Sequence, residues 1–289
     1  MLAVSLRHLS KRFGSLTVLD GIDLDVPKGS IYGLLGLNGA GKTTLLRILM
    51  GFLHPGGGEG TVLGRPVGRL DREARACIAY VPEQPALYET MRVGELLRFV
   101  GALHPRWDAR AAQAYLDVFE LPAARRVGAL SHGMRTQLAL GLALAAQPEL
   151  LIIDEPASGI DPVHRRRYLQ VLLEACSVAD RTVLLTSQDL ALVERACDHF
   201  ALIHDRRIQV AGPVTEILDQ ERRLVVKAQP SAGEALGALD GVRRVRAEAH
   251  GFLVTGRVTP RAVQDLPGVT GVQAYGMSLE ELFWSYVDG

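Results

Sequence analysis

The chain has 289 residues, 48% of them hydrophobic and 22% charged, which excludes a disordered chain and fits one large or two modest globular domains. Lys+Arg is 32 and Asp+Glu is 32, so the formal net charge is zero. That argues against a globally basic nucleic-acid binder and leaves open only a local basic patch.

In chain order, the first part predicts a mixed α/β domain. Short β-branched or leucine-rich runs at 2–6, 22–26, 31–35, 150–153, 182–186 and 200–203 read as strands. Several are apolar throughout, as strands covered on both faces are. Helical patterns fall between them: 42–50 after a Gly-rich loop, a helix-rich middle at 93–102, 109–120 and 131–147, and 162–176. Asp161 is a plausible N-cap for the last of these, with Pro162 in its first turn. A charged stretch at 219–223 marks a change, after which the pattern restarts. Strands at 223–228, 242–248, 251–254 and 269–274, with helices at 232–239, 260–266 and 278–287, give βαββαβ plus a closing helix, a ferredoxin-like order. The expected organisation is therefore residues 1–220, with a helical subdomain at about 85–148, followed by a small α+β domain at 221–289.

The uncharged stretches 29–41 and 136–148 are too short for a membrane helix, which needs about 20 apolar residues. The N-terminal residues lack a long apolar core after a basic start, so no secretory signal is expected. Cys77, Cys176 and Cys197 form no CxxC pair, which disfavours a disulfide scaffold or zinc site and suggests reduced, inert thiols in the cytosol. The histidines show no metal spacing, Trp107 reads as a packing anchor, and Arg165-Arg166-Arg167 reads as a solvated helix face.

Two motifs carry chemistry. Gly36-Leu37-Asn38-Gly39-Ala40-Gly41-Lys42-Thr43 matches GxxxxGK[ST] between a predicted strand and a predicted helix. Its glycines let the backbone curl so that N–H groups point at phosphate oxygens, and the following helix adds its positive end. Lys42 would reach the β- and γ-phosphates, Thr43 would offer its hydroxyl to Mg²⁺, and Thr44 completes the nucleotide-binding set. Leu150-Leu151-Ile152-Ile153-Asp154-Glu155-Pro156 is an apolar strand ending in two acids, at the strand end where α/β sheets bind ligands. Asp154 can hold Mg²⁺, directly or through water, and Glu155 can polarise the attacking water. Alone, such acids would be a solvated strand end; beside a phosphate loop they read as catalytic.

With Leu130-Ser131-His132-Gly133-Met134 shortly before the second, these motifs resemble the ATP-binding subunits of ABC transporters over about residues 2–220. The resemblance implies a P-loop cassette fold, ATP and Mg²⁺, and two cassettes facing head to tail. It puts Phe13 against adenine, although covering a sheet edge is the plainer role for that ring. Ser131 and Gly133 act as signature residues over the partner's ATP, and Ser158 and Asp161 form the D-loop. Tyr80-Val81-Pro82-Glu83-Gln84-Pro85-Ala86-Leu87-Tyr88 and His104-Pro105-Arg106-Trp107-Asp108 look like bacterial drug, antibiotic or peptide exporters that use a separate membrane subunit.

Three motifs depart from the family pattern, at four positions. Glu83 stands at the Q-loop position near the metal, with Gln84 beside it, and His132 and Met134 replace the usual signature Gly and Gln. Gln188, in Thr186-Ser187-Gln188-Asp189, stands where the family has a γ-phosphate histidine. Glutamine donates a neutral hydrogen bond but does not titrate near neutral pH, so slowed hydrolysis is expected.

The expected function is thus an ATPase subunit powering export at the cytoplasmic face of the inner membrane. It would work as a homodimer, or with a second ABC subunit, beside a transmembrane permease, without nucleic acid and without inserting in the membrane itself. The alternatives are a soluble ABC-type ATPase acting on ribosomes or DNA, and a slow-turnover nucleotide switch. The tail is expected to stabilise a dimer or to dock a partner, with a regulatory ligand-binding module as the alternative. The first is preferred because nothing in the tail's sequence gathers polar groups at one point, and deletion from about residue 222, with dimerisation and ATPase measured, would test it.

Overall fold

The computed structural model describes residues 1–156, 160–176 and 181–287; Ser158 and the side chain of Cys176 lie outside what it describes. The chain opens with a long hairpin, β1 (Leu2–Phe13) and β2 (Leu16–Pro27), then β3 (Ile31–Leu35) and α1 (Lys42–Leu49). β4 (Gly57–Val62), β5 (Arg65–Pro66), α2 (Arg72–Ala76) and β6 (Ile78–Val81) lead to the helical middle of α3 (Val93–Leu103), α4 (Ala109–Val118) and α5 (His132–Ala145). β7 (Leu150–Asp154), α6 (Pro162–Cys176), β8 (Thr182–Ser187), α7 (Leu190–Ala196), β9 (His199–His204), β10 (Arg207–Pro213) and α8 (Val214–Gln220) follow. The tail is β11 (Arg222–Ala228), α9 (Ala232–Gly237), β12 (Val242–Glu248), β13 (Gly251–Gly256), α10 (Pro260–Gln264), β14 (Val269–Gly276) and α11 (Leu279–Val287).

Three sheets result. The first is antiparallel in the order β2-β1-β4-β5, and the central one runs β10-β9-β3-β8-β7-β6. In the central sheet all neighbours are parallel except β10 against β9. The helices and long connections between its strands are what parallel pairing requires. The third sheet, β12-β13-β11-β14, is antiparallel and has the ferredoxin-like strand order that the sequence pattern implies.

β7 shows how sequence sets the layers. All five of its residues are buried, and the side chains alternate: Leu150 and Ile152 join one apolar cluster, Leu151 and Ile153 another. The first cluster fills the space between the first sheet, the central sheet and α1. The second lies on the opposite face beneath α3, α5 and α6. A third, around Leu224, Val226, Leu236, Val254 and Val263, belongs to the tail.

Sequence reading placed the buried strands within a residue or two but shortened or missed the edges. β1 and β2 extend well beyond 2–6 and 22–26 because one face of that hairpin is wet, and bulges break its alternation. β4 reads GGEGTV, which carries no strand signature, and pairs antiparallel with β1. The charged stretch at 219–223 is more than a boundary. Glu221 is fully buried, with Arg243 at 2.7 Å and Arg257 at 3.1 Å from its carboxylate. The tail therefore does gather polar groups at one point. Nor is it a free appendage: Met277 and the α11 residues Leu279, Leu282 and Phe283 bury into the second cluster of the main body. The basic helix face is likewise only partly solvated, since Arg165 pairs with Asp189 and Arg167 with Glu120.

Candidate nucleotide site

The site lies where strands of the central sheet end. Leu35 of β3 pairs with Ser187 of β8, and Asp154 of β7 with Thr186 of β8. This register brings the loop after β3, the acids after β7 and Gln188 after β8 to one edge. Glu83, in the loop after β6, lines the same cleft.

The phosphate loop is compatible only with small residues at two points. A Cβ on Gly36 would sit 2.6 Å from the Ile203 carbonyl oxygen. Gly41, the N-cap of α1, has φ 104, and a Cβ there would sit 2.7 Å from the Leu19 side chain. Between them a turn closes with the Ala40 N–H donating to the Leu37 carbonyl at 3.1 Å. Lys42 is 6% exposed, and its Nζ donates to the Gly36 carbonyl at 2.7 Å and lies 3.4 Å from the Glu155 carboxylate. Leu37, Asn38, Gly39, Thr43 and Thr44 line the cleft with them.

Asp154 is the polar centre. Its Oδ1 accepts from the Thr186 hydroxyl at 2.6 Å and its Oδ2 from the Thr43 hydroxyl at 3.0 Å and the Tyr80 hydroxyl at 3.4 Å. Burial, then the neighbouring Asp154 charge, pushes the Tyr80 phenol up to about 12, so it stays a neutral donor. Glu155 has φ 49, a left-handed backbone rare outside glycine, and its N–H donates to the Thr186 hydroxyl at 2.9 Å. Such strain gathers at functional sites. Gln188 closes the ring: its backbone N–H reaches Glu155 Oε2 at 3.1 Å, and its amide Nε2 donates to Asn38 at 2.8 Å and to Glu155 Oε1 at 3.3 Å.

Not every sequence candidate joins this cleft. Phe13 stands at the tip of the first hairpin, 47% exposed with Lys11 Nζ 5.2 Å above its ring, while Val18 across the hairpin lines the cleft instead. Ser131 caps α5, its hydroxyl accepting from the Met134 N–H at 3.2 Å, and Gly133 abuts Ile160 and His164 at the start of α6. Asp161 caps α6 and pairs with His164 at 2.6 Å. These three lie apart from the cleft, together at one end of α5 and α6. Ser158 lies outside the described residues. Tyr80 and Thr186 were missed as site residues; their positions on strands flanking β7 were the available signal.

A family profile described as ABC transporter matches residues 19–158. The ABC transporter ATP-binding protein YtrB of Bacillus subtilis (strain 168) is 32% identical over 218 residues, covering 75% of this chain and 74% of that protein. The chain belongs to the ABC transporter ATP-binding family. Nod factor export ATP-binding protein I of Rhizobium sp. (strain N33) is 36% identical over 217 residues, covering 73% of this chain and 71% of that protein. A solved ATP-binding subunit of an ABC transporter superposes with a TM-score of 0.69 at 29% identity, covering 76% of this chain and 93% of the other. The fold is thus the ABC cassette, and the family is one of ATPases. Among the described residues no helix is long and apolar enough to cross a membrane, and none of their His, Cys, Asp and Glu side chains cluster in threes as a metal site of their own.

Proposed function

We propose that this ABC ATP-binding subunit powers export through a separate transmembrane permease, at the cytoplasmic face of the membrane, by binding ATP with Mg²⁺ and closing against a second copy of itself. One observation carries the nucleotide chemistry: Lys42, Thr43, Asp154, Glu155 and Gln188 converge through direct hydrogen bonds and one ion pair. The export reading is supported by the likeness to the Nod factor export protein.

The loop fits a polyphosphate, since Gly36 and Gly41 leave no room for a Cβ and so keep the tight curl whose N–H groups can turn toward phosphate oxygens. Lys42, held on the Gly36 carbonyl, is placed to turn its charge onto β- and γ-phosphate oxygens. Thr43 and Asp154 would hold Mg²⁺, with Glu83 on the same wall, and the ion would neutralise developing phosphate charge. Glu155 polarises the attacking water and takes its proton. Phe13 offers its exposed face to adenine. Ser131 and Gly133, set away from the cleft, meet the ATP of the opposing copy, and Asp161 lines that same interface.

Gln188 sets the pace. Both amide hydrogens of its Nε2 have acceptors, Asn38 and Glu155, so contact with the γ-phosphate requires one bond to break. The amide also takes no proton. Slow turnover follows.

ATPase rates of purified wild type, Glu155→Gln and Gln188→His test this reading. Glu155→Gln is expected to lose at least about 100-fold in rate while still binding ATP, and Gln188→His to turn over faster. Unchanged hydrolysis in Glu155→Gln would remove it as base; no gain in Gln188→His would remove the slow-turnover assignment. Co-purification with a polytopic membrane protein, and loss of substrate export when Glu155→Gln replaces wild type in cells, test the transport part.

A further inference from the structure

The tail holds a second cleft, about 360 Å³, that the nucleotide chemistry does not use. Its size is that of small-molecule pockets, roughly 300–1,000 Å³. Leu253 and Thr255 of β13 line it together with Met277, and α11 contributes Trp284. Arg223 of β11 and Arg244 of β12 supply positive charge.

Three polar groups in this lining are unspent. Arg244 is half-buried and has no acidic partner among the described residues. Arg223 is fixed by Glu281 and lies 5.4 Å from the centroid of the Tyr275 ring, yet its Nε–H has no acceptor among the described residues. Thr255 is 9% exposed and its hydroxyl has no hydrogen-bond partner among them. A buried polar group left so is costly and calls for an explanation. The acids of the lining are Glu281, already paired with Arg223, and the exposed Glu280, whereas Arg246 is 3.6 Å from Glu248. Among the described residues, Arg244 is thus the arginine of the lining without a counter-charge. Water would satisfy the hydroxyl but would leave Arg244 without an anion and wet the apolar surface of Leu253, Met277 and Trp284.

We infer that this cleft binds a small organic anion, a carboxylate on an aliphatic or aromatic body, with the carboxylate on Arg244 and the body against Trp284, Met277 and Leu253. Bidentate pairing matches guanidinium to carboxylate, and the apolar walls match the body.

Octanoate is the probe, with octanamide as its neutral counterpart, titrated into the full chain by calorimetry and by tryptophan fluorescence. Saturating ADP keeps the phosphate cleft out of the measurement. The expected result is saturable octanoate binding below about 1 mM, at least about tenfold tighter than octanamide. Arg244→Gln should abolish that preference, and Trp284→Phe should remove the fluorescence change while the heat of binding remains. Arg244 is half-exposed and pairs with none of the described residues, so Arg244→Gln should leave the fold and the basal ATPase intact. Absence of saturable binding, equal affinity for acid and amide, or a preference that survives Arg244→Gln would overturn the assignment.

Discussion

The nucleotide cleft and the tail solve opposite problems with charge. In the cleft, charged groups stand at strand ends, held by backbone and short hydroxyl bridges, and keep partners that they can exchange. Lys42 rests on a carbonyl and near Glu155, and Asp154 on three hydroxyls. In the tail, one carboxylate is locked. Glu221 is inaccessible and held by Arg243 and Arg257, while Arg243 also donates to Ser285 and Tyr286 on α11. Exchangeable partners suit chemistry; a buried charge with fixed partners suits assembly. The comparison also shows that a charged stretch in sequence can be the interior of a joint.

The largest test of that contrast is Glu221→Ala. Leaving the largely buried Arg243 without its carboxylate, beside the half-exposed Arg257, is expected to cost about 3–5 kcal/mol, seen as a lower midpoint in urea. A separate early transition with unchanged ATPase would break the comparison, because the tail would then be independent. Next is Leu282→Ala, which empties a fully buried site in the cluster shared by α11 and the main body. About 2–5 kcal/mol is expected, in the same single transition. The cleft should respond differently. Gly41→Ala forces a side chain into φ 104 and against Leu19; about 10–100-fold weaker ATP binding, measured with a fluorescent analogue, is expected from strain of ~1–3 kcal/mol. A Gly41→Ala chain that binds normally would mean the loop reshapes freely. The smallest effect is Phe13→Ala, about 2–10-fold on ATP affinity from the loss of one exposed stacking face. No change there would leave the ring as sheet cover alone.

How much of this was legible in the sequence follows from the same contrast. The cleft was legible because its chemistry needs particular residue types at fixed short spacing, as in Gly36 to Thr43, and because β7 announces itself as an apolar run ending in two acids. What escaped were groups that act across strands. Tyr80 and Thr186 reach Asp154 only through the order β6-β7-β8. Val18 rather than Phe13 lines the cleft because the hairpin extends past the loop. In the tail the strand order was readable from periodicity, but the Glu221 joint was not: its partners lie 22 and 36 positions away, and nothing local distinguishes a buried glutamate from a solvated one.

Helix α11 bears on how the molecule is made. Residues Met277, Leu279, Leu282 and Phe283 fill a cluster whose other members begin as early as Leu35. A chain emerging from the ribosome therefore displays an apolar trough on its main body until these late residues arrive. From the synthesis of α7 until that of α11, this part of the cluster stays uncovered.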